Sequence, residues 1–133
     1  MNAIAESLMR RLRPVLVSFA DTILGANPTL TYDLGGTEND AFLLRAYLSF
    51  RMHDDGDEVA VTVDVNTDAD TLNVVSDVCG DDGLVIAVGP ATTEPWRQGQ
   101  PIPDDALRNW LTQFERFLRS NERVVVRAAA ILS

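Results

Sequence analysis

Three side-chain types in this chain could support chemistry: one histidine, one cysteine and twenty carboxylates among 133 residues. His53 and Cys79 would form a base and a thiol nucleophile if the fold brought them together. Consecutive antiparallel strands would allow it. The turn that starts at His53 and the strand that ends at Cys79 then share one end of a sheet. The surroundings are wrong for the reaction. Asp77, Asp81 and Asp82 border Cys79, and a negative field raises a thiol pKa and suppresses the attacking thiolate. A packed cysteine and a solvated histidine are expected instead.

The carboxylates are concentrated. Between Arg51 and Arg97 lie eleven acidic residues and no basic one. Ten of them fall between Asp54 and Asp82, and the rest of the chain is close to neutral, so this segment sets the net charge of −9. Asp64, Asn66, Asp68 and Asp70 place oxygen donors at alternating positions, as the opening of an EF-hand loop does. Ala69 then stands where that loop needs glycine, and Val75 where it needs a bidentate glutamate. A hairpin turn whose aspartates cap backbone amides fits better. A paired-carboxylate glycosidase needs a cleft lined with aromatic rings, whereas Trp110, Phe114 and Phe117 already fall on the buried stripe of a helix. A single histidine and a single cysteine exclude multi-histidine zinc sites and zinc ribbons. The absence of lysine excludes a lysine-bearing phosphate loop and a lysine Schiff base. Neither Gly-x-Ser-x-Gly nor His-Glu-x-x-His occurs. No catalytic residue, metal or cofactor is therefore assigned.

The elements that must position these residues follow from periodicity. Residues 3 to 24 read as a helix, with Ile4, Leu8, Leu12, Leu16, Phe19 and Ile23 on one stripe. Pro14 sits inside it and predicts a kink or two abutting helices. Gly25 and Pro28 end the pattern. The period then changes to two. Leu30 to Leu34, Phe42 to Arg51, Val59 to Val65 and Leu72 to Cys79 alternate as strands. Leu84 to Val88 is apolar at every position, which predicts a central or doubly covered strand. The connections are short and rich in Asp, Gly and Asn, the chemistry of hairpin turns. Residues 90 to 103 read as a loop with four prolines. Residues 104 to 119 form a second helix, with acids at its start and Arg116 and Arg119 at its end. Residues 122 to 132 lean to helix, because three alanines offset three valines.

The expected fold is α+β: an antiparallel meander of about five strands, with an N-terminal and a C-terminal helix packed on one face. Residues 1 to 133 fit a single domain, long enough to bury roughly two thirds of its unfolded surface. The other sheet face would carry Leu43, Tyr47 and Val75 among polar residues, and a second copy of the chain, as a homodimer, could cover part of it.

Composition narrows the function. One cysteine precludes an internal disulfide. Arg10, Arg11 and Arg13 precede an apolar run, but Asp21 ends it and no small-x-small cleavage site follows, so a cytoplasmic protein is expected. No stretch reaches the about 20 apolar residues of a membrane span. Nucleic acid is disfavoured, since the acidic segment would repel phosphates. The reading that fits is a small acidic, non-catalytic protein-binding module of inhibitor, immunity or chaperone type. Its partner would be a protein, most naturally a basic one, met by acidic turns. The candidate binding residues are Asp54, Asp55, Asp57, Glu58, Asp81 and Asp82, together with Trp96 and Arg97 in the proline-rich loop. Trp96 could equally fold back over the sheet edge. The alternative is a carboxylate-based enzyme or divalent-cation binder that uses the acidic turns near His53.

Overall fold

The computed structural model describes residues 3–23, 27–35, 42–51, 58–68, 70–80, 83–97 and 99–125. Helix α1 spans Ala3–Asp21. Five strands follow, β1 (Asn27–Leu34), β2 (Phe42–Arg51), β3 (Val59–Asp68), β4 (Thr71–Cys79) and β5 (Val85–Val88), then a short β6 (Thr92–Pro95) and helix α2 (Asp104–Ser120). The strands form one antiparallel sheet in the order β1-β2-β3-β4-β5, with β6 also paired to β4. This is the expected α+β meander with a helix at each end. No helix among the described residues is long and apolar enough to cross a membrane.

Alternation makes the layers. Leu48 and Phe50 of β2, Val61 and Val63 of β3, and Val74 and Val78 of β4 are buried and join one core with Leu8, Leu12 and Leu16 of α1 and Leu107, Trp110, Phe114 and Leu118 of α2. Burying a side chain of this size stabilises by about 1.5–3 kcal/mol, so this single core is the main source of stability. α1 lies against β1 and β2, whereas α2 lies against α1 and β6. Arg11 on α1 donates to Asp104 at the start of α2 at 2.6 Å and ties the helices together. That carboxylate also faces the positive end of the α2 dipole.

Several local expectations change. α1 runs as one helix through Pro14. It closes with Thr22 and Ile23 donating to the carbonyls of Phe19 and Ala20, the tighter i→i+3 turn that satisfies last-turn acceptors. Leu43 is buried in the core rather than exposed on the mixed face, because the β2–β3 register shifts between Phe42 and Leu44 and a bulge moves a side chain across the sheet. Residues 122–125 continue as helix after Asn121, and Gly25 and residues 126–132 lie outside the described residues.

The largest correction concerns Leu84 to Val88. This segment is not central. It is the edge of the sheet, with Leu84 68 % and Val88 81 % exposed and Val85 and Ile86 also exposed. The reason lies in its continuation. Val88 pairs with Asp77 and Thr92 with Val74, so β5 and β6 are two halves of one strand lying along β4. α2 packs on the β6 half, and within β5 only Ala87 packs against the core. The loop expected from residue 90 therefore contains a strand as well.

Gly89-Pro90 makes the break between the halves. The Gly89 amide donates to the Ser76 carbonyl at 2.9 Å. A Cβ on Gly89 would collide with the Ser76 hydroxyl and stand 3.0 Å from the Phe117 ring. The Pro90 carbonyl accepts from both Ser76 Oγ and Trp110 Nε1 at 2.9 Å, which joins strand, break and helix.

Candidate functional site

Among the described residues no helix covers the second face of the sheet, and side chains there pair across strands. The register sets Asp33, Arg45, Asp64 and Val75 in one row, and Thr31, Tyr47, Thr62 and Asp77 in the next. Residues directly opposed on one face lie close enough to interact. Arg45 Nε donates to Asp64 Oδ1 at 2.6 Å. That hydrogen bond and the Asp64 charge raise the Arg45 pKa further above its already high value, and its guanidinium also sits 5.6 Å from the centre of the Phe42 ring.

Nearer the end of β2 at Arg51, Glu58 takes two donors. Tyr47 Oη reaches Glu58 Oε1 at 2.8 Å and Arg51 Nη2 reaches Glu58 Oε2 at 2.9 Å. Next to this clamp, Thr62 Oγ1 and Cys79 Sγ both donate to Asp77 Oδ1, the thiol at 3.1 Å. Ser49 and Thr62 are buried on this uncovered face, because the longer side chains at neighbouring positions screen them.

The Cys79 thiol is unsuited to nucleophilic work. Burial, and then the Asp77 carboxylate it donates to, push its pKa up to about 11. At neutral pH it is a protonated donor, and the thiolate needed for attack is scarce. Among the described residues, no group of three or more His, Cys, Asp or Glu side chains could hold a metal ion. An open groove of about 280 Å³ lies between α1 and α2, lined by Val15, Ser18, Phe19, Leu118 and Arg119 among others. Its charged lining is Glu115, Glu122 and Arg119, and Arg119 lies 3.9 Å from the Glu115 carboxylate one helical turn away.

The sequence-derived binding residues separate into groups. Asp54, Asp55, Asp57, Asp81 and Asp82, with His53, lie outside the described residues. The strand ends that carry them are placed. Phe50 pairs with Val59, and Ala60 with Cys79, so the strand ends that precede and follow these residues lie side by side at one end of the sheet. Glu58 belongs to that end and is held by Tyr47 and Arg51.

Trp96 is 6 % exposed and part of the core, which is the folded-back arrangement. Its amide donates to the Asp70 carbonyl at 2.8 Å and its indole N–H to the Gln100 carbonyl at 3.2 Å. Arg97 is on the surface at the opposite end of the sheet and grips Asp70 through Nε at 2.6 Å and Nη2 at 3.1 Å. Trp96 and Arg97 thus pin the proline-rich segment to the β3–β4 turn, away from the acidic connections. Of the polar groups on this face, Glu58 was in the sequence-derived set, whereas Arg45, Asp64, Tyr47 and Arg51 were not. Their signal was present as alternation in β2 and β3, but a single strand's pattern does not say which residue stands opposite which. No family model matches the chain, and no similar curated protein or solved structure was found.

Proposed function

We propose that this chain is a small non-catalytic protein-binding module, of inhibitor, immunity or chaperone type, that engages a basic protein partner at its acidic sheet end. The observation that carries the reading is the β2–β3–β4 register, which sets the strand ends at Phe50, Val59 and Cys79 side by side at one end of the sheet. The segments that join these ends, 52–58 and 80–84, contain Asp54, Asp55, Asp57, Glu58, Asp81 and Asp82 and no arginine or lysine. Grouped carboxylates speed encounter with a basic surface and repel acidic ones, nucleic acid included. The cross-strand pairs on the helix-free face support the reading further. They satisfy the polar side chains in place, leaving a firm surface beside the acidic end.

Affinity capture with the full chain as bait, at low and at high salt, tests this. A basic protein captured at low salt should be lost at high salt. It should also be lost by a bait carrying Asp54→Asn, Asp55→Asn and Asp81→Asn together. Retention of the same partner by that triple variant would overturn the assignment of the acidic end.

A further inference from the structure

The groove between α1 and α2 is built from the same end of both helices. Its lining runs from Pro14 to Thr22 on one side and from Glu115 to Glu122 on the other, the C-terminal stretches of the two helices and the turns that close them. A helix C-terminus carries the negative end of the backbone dipole and favours a cation beside it. α2 supplies one in its last turn, Arg119, whereas the last turn of α1 contains no basic residue. The Arg119 side chain is 82 % exposed and only 3.9 Å from Glu115 at its nearest, so most of its charge sits in solvent. Glu122, on the same wall, makes no ion pair among the described residues.

Much of the remaining lining is apolar. Phe19 and Leu118 are buried, Val15 is half-buried and Pro14 is exposed. Proline is a costly residue inside a helix, because it removes the hydrogen bond to the carbonyl four residues back. Here it adds a rigid apolar ring to the groove wall. Phe19 also meets Phe50 edge-on, and Phe50 stands at the strand end that leads into the acidic segment, so the longer-range field has the same negative sign. An anion would face Glu115, Glu122 and two negative helix ends. We infer that the α1–α2 groove binds a small amphipathic amine, its apolar body against Pro14, Val15 and Phe19 and its ammonium group paired with Glu122. Apolar walls with a few placed polar groups are the usual make-up of a small-molecule site, and about 280 Å³ suits one ring with a short chain. The site does not depend on the protein partner proposed above.

Amide NMR titration of the full chain at constant ionic strength tests this, with phenethylamine as the probe and phenethyl alcohol and phenylacetate as its neutral and anionic counterparts. Phenethylamine should shift amides of residues 14–22 and 115–122 and saturate with a dissociation constant on the order of 1 mM. The alcohol should bind the same residues about fivefold more weakly, the difference being one partly exposed ion pair, and phenylacetate should not bind. Glu122→Gln should bring the amine to the affinity of the alcohol and leave the alcohol unchanged. Ser18→Trp, at an exposed position of the lining, should fill the groove and abolish binding of both. Each variant's own spectrum reports whether it is folded, and because the two changes lie on different helices either alone decides the question. An amine that binds no better than the alcohol, shifts that fall outside the groove, or a folded variant that binds the amine like wild type would overturn the inference.

Discussion

On one side of the sheet, Phe50, Val61 and Val78 are closed over by α1 and α2. On the other, Arg45, Glu58 and Asp77 meet their partners across the strands, with no second layer above them among the described residues. Both sides are written by the same alternating strands. The covered side is stabilised by volume and tolerates little change. The uncovered side is stabilised by individual polar pairs, each worth little, and remains open to a partner. Substitutions on the two sides should therefore differ in size and in their response to salt.

Phe50→Ala should have the largest effect. The ring is fully buried and meets Phe19 edge-on at 6.0 Å between centroids. Its loss is expected to cost about 3–5 kcal/mol in chemical denaturation, insensitive to salt. A cost below about 1 kcal/mol would mean that the covered layer is not closely packed. Glu58→Gln keeps an acceptor for Tyr47 but removes the charge facing Arg51. It should cost only about 0.5–1 kcal/mol, and less as salt rises. If it cost as much as Phe50→Ala, the contrast between the faces would collapse.

The smallest effect concerns Cys79. With its pKa raised from 9.0 to about 11, its alkylation near pH 8 should run about a hundredfold slower than that of a free thiol. Asp77→Asn should recover only part of that rate, because burial is the larger cause. The folded chain favours the protonated thiol, so the associated stability is complete below 9.0 and declines as pH rises toward 11. Alkylation at the free-thiol rate would show that Cys79 is not held by Asp77.

Much of the fold was legible because each element imposes a period. β3 alternates valine with small or polar residues, and α2 repeats Leu107, Trp110, Phe114 and Leu118 at helical spacing. What the period could not give was rank within the sheet. Leu84 to Val88 looks like a buried strand by composition, but α2 continues along the β6 half and leaves this half beyond the helical layer. β6 was hidden because Thr92–Pro95 sits among prolines that read as loop, although a strand against β4 at a sheet edge accommodates Pro95. That Phe50, Val59 and Cys79 end their strands at one end of the sheet was legible, since a meander returns alternate turns to one end. The Arg45–Asp64 and Glu58 clamps needed register, which depends on turn lengths and on the bulge at Phe42–Leu44.

The Pro90 carbonyl, which accepts from both Ser76 and Trp110, also divides the last strand in time. On its far side, β6 is bound to β4 and packed by α2, so those of its amides that bond β4 should exchange with solvent hydrogen only when the whole domain opens. On its near side, β5 has β4 alone, and its amides should exchange through local fraying at far lower cost. The exposed half of the strand is thus also the half that can loosen without unfolding the rest.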